Sequence, residues 1–186
     1  MTVSETLKRR GMTIAAASLF GGAVISEDMA FAHDSITQSF VHMAIGVPGA
    51  LYQPDQLSLK ARIAVMLRHS GGDYLSHTGC TELSQRDYSA LCPNNFTRKT
   101  GRNFDIDIYQ AISEAGKGVA YLRGRDDSDT VILMGHSGGS ELFSAYQNIA
   151  KNRPAACQSE ALSITCDAQP MTCLPPADGV MWLDPN

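Results

Sequence analysis

Gly135-His136-Ser137-Gly138-Gly139 fits the pattern G-x-S-x-G. A serine framed by glycines at this spacing suits nucleophilic chemistry when it sits on a sharp strand-to-helix turn, which lifts the hydroxyl above the sheet edge. Gly135 and Gly139 leave room for that turn, where a side chain would crowd the backbone. The bare pattern also fits a glycine-rich turn capped by a serine, and context separates the two. Thr130–Met134 (TVILM) reads as a buried strand. Leu142, Phe143, Tyr146, Ile149 and Ala150 fall on one face of a helix that starts near Ser137 or Gly138 and ends before Pro154. A second glycine-rich turn, His69-Ser70-Gly71-Gly72-Asp73, follows the apolar end of Leu59–Leu67. Backbone amides at a helix N-terminus and in a glycine turn are fixed donors, suited to stabilising a tetrahedral oxyanion.

The remaining elements are those that position the two turns. Tyr88–Cys92 reads as a short buried strand stopped by Pro93-Asn94-Asn95, and Glu82–Arg86 as a helical turn. Ile108, Ala111, Ile112, Ala115, Val119 and Leu122 recur with a helical period, with Gly116 and Gly118 inside the pattern. Gly179–Leu183 (GVMWL) is the last buried strand. Strands alternate with helices and are apolar throughout, which predicts an α/β fold: a doubly wound, mostly parallel sheet with helices on both faces.

TVILMGHSGGSELF resembles the nucleophile elbow of the α/β-hydrolase superfamily, and His69-Ser70-Gly71-Gly72 resembles its oxyanion loop; the similarity runs in order from near residue 45 to residue 186. The resemblance implies Ser137 as nucleophile, the Gly138 N–H as one oxyanion donor, and the Gly71 or Gly72 N–H as the other. It implies hydrolysis of a small-molecule ester, and less readily an amide, through an acyl-enzyme, with no cofactor and no metal. In this family a His opening the oxyanion loop supports loop shape, which is the role expected of His69. His136 is the variable residue of the motif, placed for substrate contact or packing.

The family's acid and base follow the serine in the order Ser, acid, His. No histidine follows His136. The base is therefore missing, and residues 33–186 read as a partial hydrolase domain without its C-terminal strands. Asp184, after GVMWL, stands where some relatives carry the acid; a carboxylate there also serves simply to bind the next loop. Residues 155–176, with Cys157, Cys166, Cys173 and three prolines, fall where hydrolases often carry a lid. Two other functions compete: a non-catalytic remnant that keeps a ligand pocket, and a carbon–carbon or carbon–halogen hydrolase. The serine at the elbow speaks against dehalogenase chemistry, which favours aspartate there.

Composition narrows the field further. The chain has 186 residues, 44% hydrophobic and 18% charged, with 15 basic and 19 acidic residues giving a net charge of −4. That excludes wholesale disorder and a basic nucleic-acid-binding face. Lys8-Arg9-Arg10, the apolar run Met12–Ile25 and Ala30-Phe31-Ala32 describe a signal peptide over residues 1–32, too short in its apolar run for a membrane span, so export to the periplasm or beyond is expected. The paired arginines resemble a twin-arginine signal. The cysteines lack C-x-x-C spacing, which argues against zinc. One pair among Cys157, Cys166 and Cys173 is expected to form a disulfide in an exported protein, while Cys80 and Cys92 are expected as free thiols. Asp126-Asp127-Ser128-Asp129 reads as solvated surface, and no phosphate loop or dinucleotide fingerprint is present.

Overall fold

The structure, a computed structural model, describes residues 35–56, 58–96, 106–158 and 166–185. The leader expected at residues 1–32 lies outside the described residues. In chain order the elements are β1 (Ile36–Ala44), β2 (Val47–Pro54), β3 (Ile63–Arg68), α1 (Thr78–Ser84), β4 (Ser89–Pro93), α2 (Ile108–Arg123), β5 (Thr130–His136), α3 (Gly138–Asn152) and β6 (Gly179–Leu183). The six strands form one sheet in the order β1-β2-β4-β3-β5-β6. Pairing is antiparallel at β1–β2 and β2–β4, and parallel at the other three junctions. The expected α/β sheet, mostly parallel, is present.

Apolar burial assembles the layers. β3 and β4 are buried on both faces. On one face α2 and α3 close over Ala64, Met66, Leu91, Val131 and Leu133; on the other, α1 closes over Ala50, Leu67, Ala90 and Cys92. α2 is capped by Asp107, whose carboxylate accepts from the amides of Tyr109 and Gln110. Its Gly118 lets the helix lie close on the sheet, since a side chain there would meet Met66 Sδ at 2.5 Å.

Several expectations change. The β1–β2 hairpin has no apolar run to announce it: β1 is largely exposed, with Phe40 at 75%, and β2 contains Pro48 and Gly49. Its turn depends on Gly46, at φ 76°. The first helix is not at 82–86 but spans Thr78–Ser84, because the His77 ring accepts from the Gly79 amide at 3.0 Å and starts it early. β5 is not buried throughout: its burial alternates, since α1 packs on β2, β3 and β4 and leaves this face of β5 partly open.

The expectation of free thiols at Cys80 and Cys92 is overturned. α1 packs on β4 and brings the two Cα atoms to 6.3 Å, and the cysteines form a disulfide, both fully buried. Cys157 and Cys166 form the other disulfide, leaving Cys173 free and exposed among the described residues. The described parts of 155–176 run along α2 and α3. Tyr146 Oη donates to the Pro175 carbonyl, and Gln147 exchanges two hydrogen bonds with Ala177. Arg123 holds the Pro176 carbonyl and Asp178, and the Asp178 carboxylate also accepts from the Val131 amide at 2.7 Å, fastening this segment to the start of β5.

Candidate active site

Ser137 joins β5 to α3 with φ 51° and ψ −127°, a conformation that costs a non-glycine residue on the order of 1–3 kcal/mol. The surroundings hold it there. Its amide donates to the Leu183 carbonyl on β6 at 2.9 Å, its carbonyl accepts from Ser140 N at 2.8 Å, and Ser140 Oγ donates to the Gly135 carbonyl at 2.8 Å. A Cβ at Gly135 would collide with the Gly139 carbonyl, and one at Gly139 with the Arg68 carbonyl. Both flanking glycines are therefore required by close backbone approach.

The two glycine-rich turns meet. β3 and β5 are parallel neighbours with Arg68 opposite Gly135, so the loop leaving β3 arrives beside the elbow. Ser70 Oγ lies 2.6 Å from where a Gly138 Cβ would stand, and His69 Cε1 lies 3.8 Å from the same point. His69 Nδ1 accepts from the amides of Gly71 at 3.0 Å and Gly72 at 3.1 Å. An accepting Nδ1 puts the proton of the neutral ring on Nε2. His69 thus folds the loop around its own ring, and the amides of Gly71 and Gly72 face that ring.

Beside the loop stands a polar aromatic wall that sequence reasoning did not find. Tyr74 Oη hydrogen-bonds His136 Nδ1, and the Tyr74 ring stacks on His77 with centroids 4.3 Å apart and planes 4° from parallel. His77 and His136 are 5.8 Å apart, and His69 and His136 6.5 Å. Burial, with His136 beside it, lowers the His77 pKa, and burial raises that of Tyr74. The sequence Pro93-Asn94-Asn95 does more than stop β4. Asn94 accepts from the Tyr74 amide at 2.8 Å and donates to Asp73, while Asn95 donates to the Ser70 carbonyl at 2.5 Å. Only a pair of asparagines directly after a buried strand could have signalled this.

Asp184 follows Leu183, the residue that receives the Ser137 amide. It is exposed, at φ 50°, and makes no hydrogen bond among the described residues. Its position is thus just past the end of β6, the strand that receives the elbow's amide. An apolar cavity of about 330 Å³ lies elsewhere, between α2 and α3, lined by Ile108, Ile112, Ala145, Ile149 and Cys157. Among the described residues no group of three or more His, Cys, Asp or Glu is placed to hold a metal, and no helix is long and apolar enough to cross a membrane.

No family model matches the chain, and no curated protein sequence does. Solved structures do. Esterase B from Lactobacillus rhamnosis, in a complex with a tributyrin phosphonate inhibitor, is similar at a TM-score of 0.60 and 18% identity over 83% of this chain and 50% of that one. A further structure of the same esterase gives 0.58 and 17%, over 83% and 49%. Thermogutta terrifontis esterase 2, phosphorylated by paraoxon, gives 0.50 and 13%, over 80% and 57%. The chain spans about half the length of the first structures it matches. Identities this low speak to architecture alone, and here they agree with the strand order and the elbow: the chain has an α/β-hydrolase fold.

Proposed function

We propose that this chain carries the nucleophile of a serine hydrolase that cleaves carboxylic esters through an acyl-enzyme on Ser137. The strained backbone of Ser137, at the junction of β5 and α3 with the loop 69–72 packed on Gly138, is the observation that carries this reading. Esterases among the similar structures support it.

In the reaction Ser137 Oγ attacks the ester carbonyl carbon. Its proton passes to a general base, and the carbonyl π pair moves onto oxygen. The Gly138 N–H, at the start of α3, donates to that oxyanion where the helix dipole favours negative charge. Collapse breaks the bond to the alkoxy group, which takes the proton and leaves as the alcohol; water then releases the acid by the same steps. We assign Asp184, just past β6, the role of the acid. No histidine follows His136, and His69 and His77 each use Nδ1 to hold backbone amides. We therefore assign no triad base among the described residues. The leader-like N-terminus and the two disulfides support export.

The test supplies the base from outside. Hydrolysis of p-nitrophenyl acetate is followed against imidazole concentration for the wild type and S137A. The expected result is a near-background rate without imidazole and a Ser137-dependent rate that grows with it. Identical imidazole dependence in both proteins would favour the alternative, a ligand-binding remnant without chemistry.

A further inference from the structure

Arg68 is a buried cation that the acyl-transfer steps do not use. It closes β3 immediately before the oxyanion loop, is 1% exposed, and its two terminal nitrogens, Nη1 and Nη2, have no hydrogen-bond partner among the described residues. Burial lowers its pKa to about 10, with the Glu114 carboxylate on α2 opposing the shift, so it is charged at neutral pH. An incompletely paired buried cation destabilises a fold, and an apolar side chain of similar volume would fill the same space without that cost. Its presence calls for a role other than stability.

The role is visible in the carbonyls of the loop. Arg68 Nε donates to the His69 carbonyl at 3.3 Å. Asn95, itself 5% exposed at the end of β4, donates to the Ser70 carbonyl at 2.5 Å. Two successive carbonyls are thus held from inside the protein. In a trans peptide the C=O and the following N–H point in opposite directions. Holding the Ser70 carbonyl aims the Gly71 N–H away from Asn95, and it ends on His69 Nδ1. Holding the His69 carbonyl likewise aims the Ser70 N–H away from the guanidinium. That amide has no acceptor among the described residues, and Ser70 Oγ is the loop atom nearest to where a Gly138 Cβ would stand.

We propose that Arg68 is a positioning residue of the acyl-transfer site: by holding the His69 carbonyl it presents the Ser70 N–H, which joins the Gly138 N–H as the oxyanion donor pair. Gly71 and Gly72 then shape the turn through His69 rather than receive the oxyanion. The inference rests on the serine-hydrolase reading and moves the second donor one residue earlier than the glycines named from sequence.

The experiment compares wild type, R68M, R68K and N95A by two readouts. The first is amide hydrogen exchange at Ser70, Gly71 and Gly72, measured by NMR. In the wild type, Gly71 and Gly72 are expected protected and Ser70 unprotected. In R68M the protection of Gly71 and Gly72 should fall at least tenfold with no drop in Tm, because the loop loses its anchor while the core loses a poorly paired charge. R68K should recover most of the protection, and N95A should release Gly71. The second readout is the rate at which a fluorophosphonate labels Ser137 in the presence of imidazole. Removing one oxyanion donor slows acyl transfer by on the order of 10²–10³, so misaiming one is expected to slow R68M at least tenfold, with R68K near wild type. A protected Ser70 amide in the wild type, or unchanged exchange and labelling in R68M, would overturn the assignment of Arg68. Failure of the wild type to label at Ser137 would instead sink the hydrolase reading, and the exchange data alone would then decide whether Arg68 anchors the loop.

Discussion

The Ser137 amide donates to the Leu183 carbonyl at 2.9 Å, so the strained residue of the elbow is tied to the sixth strand. That bond, together with the Ser140 cap and the crowding at Gly135 and Gly139, holds Ser137 at φ 51°. Glycine adopts positive φ without steric penalty. S137G should therefore raise stability in denaturant unfolding by about 1 kcal/mol, the relief of strain outweighing the added flexibility of the unfolded chain. S137A keeps a Cβ and should gain less. A destabilised S137G would mean that the elbow is not strained.

The disulfides give a count. In the protein unfolded in denaturant without reductant one thiol, Cys173, should react with Ellman's reagent, since Cys80–Cys92 and Cys157–Cys166 are closed. Three reactive thiols would restore the expectation of free Cys80 and Cys92. Replacing both Cys80 and Cys92 by alanine should cost about 2–4 kcal/mol in unfolding free energy.

That miss shows where sequence reading stops. Hydrophobic period and turn chemistry are local, and they located β4, α2, β5, α3 and β6 to within a residue or two, with the elbow between two of them. Pairing of Cys80 with Cys92 depends on how α1 settles on β4, which no local pattern states. The β1–β2 hairpin was illegible for a different reason: an exposed outer strand has no apolar run to read. In the site, Ser137 and the loop 69–72 were visible as motifs. Arg68, Tyr74, His77 and Asn95 were not, because single polar residues acquire meaning only from the partners that folding brings to them.

The histidine wall makes stability depend on pH. His77 has a lowered pKa in the folded protein, from burial and from His136 beside it, against 6.5 for the free ring. Its Nδ1 caps α1, Tyr74 stacks on it, and His69 lies beyond Tyr74. As pH falls below about 6.5 the unfolded chain binds the proton first, so this contribution is complete above that pH and is lost progressively down to the folded-state pKa. Asparagine also caps a helix but does not titrate. H77N should flatten the dependence of Tm on pH below about 6.5. An unchanged slope would remove His77 as its source.

Strand β6 forms an edge of the described sheet and leaves Met181, Trp182 and Leu183 exposed, Trp182 at 66%. Such an edge is a template for pairing between chains. The protein should self-associate with rising concentration in sedimentation, and M181K should suppress this. At low concentration the emission of Trp182, the only tryptophan, should be accessible to acrylamide. A monodisperse wild type with a protected Trp182 would show that the edge is covered.

The central claim is that Ser137 is an acyl-transfer nucleophile. Its most direct test is incubation of the chain with a fluorophosphonate and imidazole, followed by peptide mapping in a mass spectrometer. The expected result is a single phosphonyl adduct on Ser137, absent in S137A and slower without imidazole. No adduct, or an adduct on another serine that persists in S137A, would contradict it.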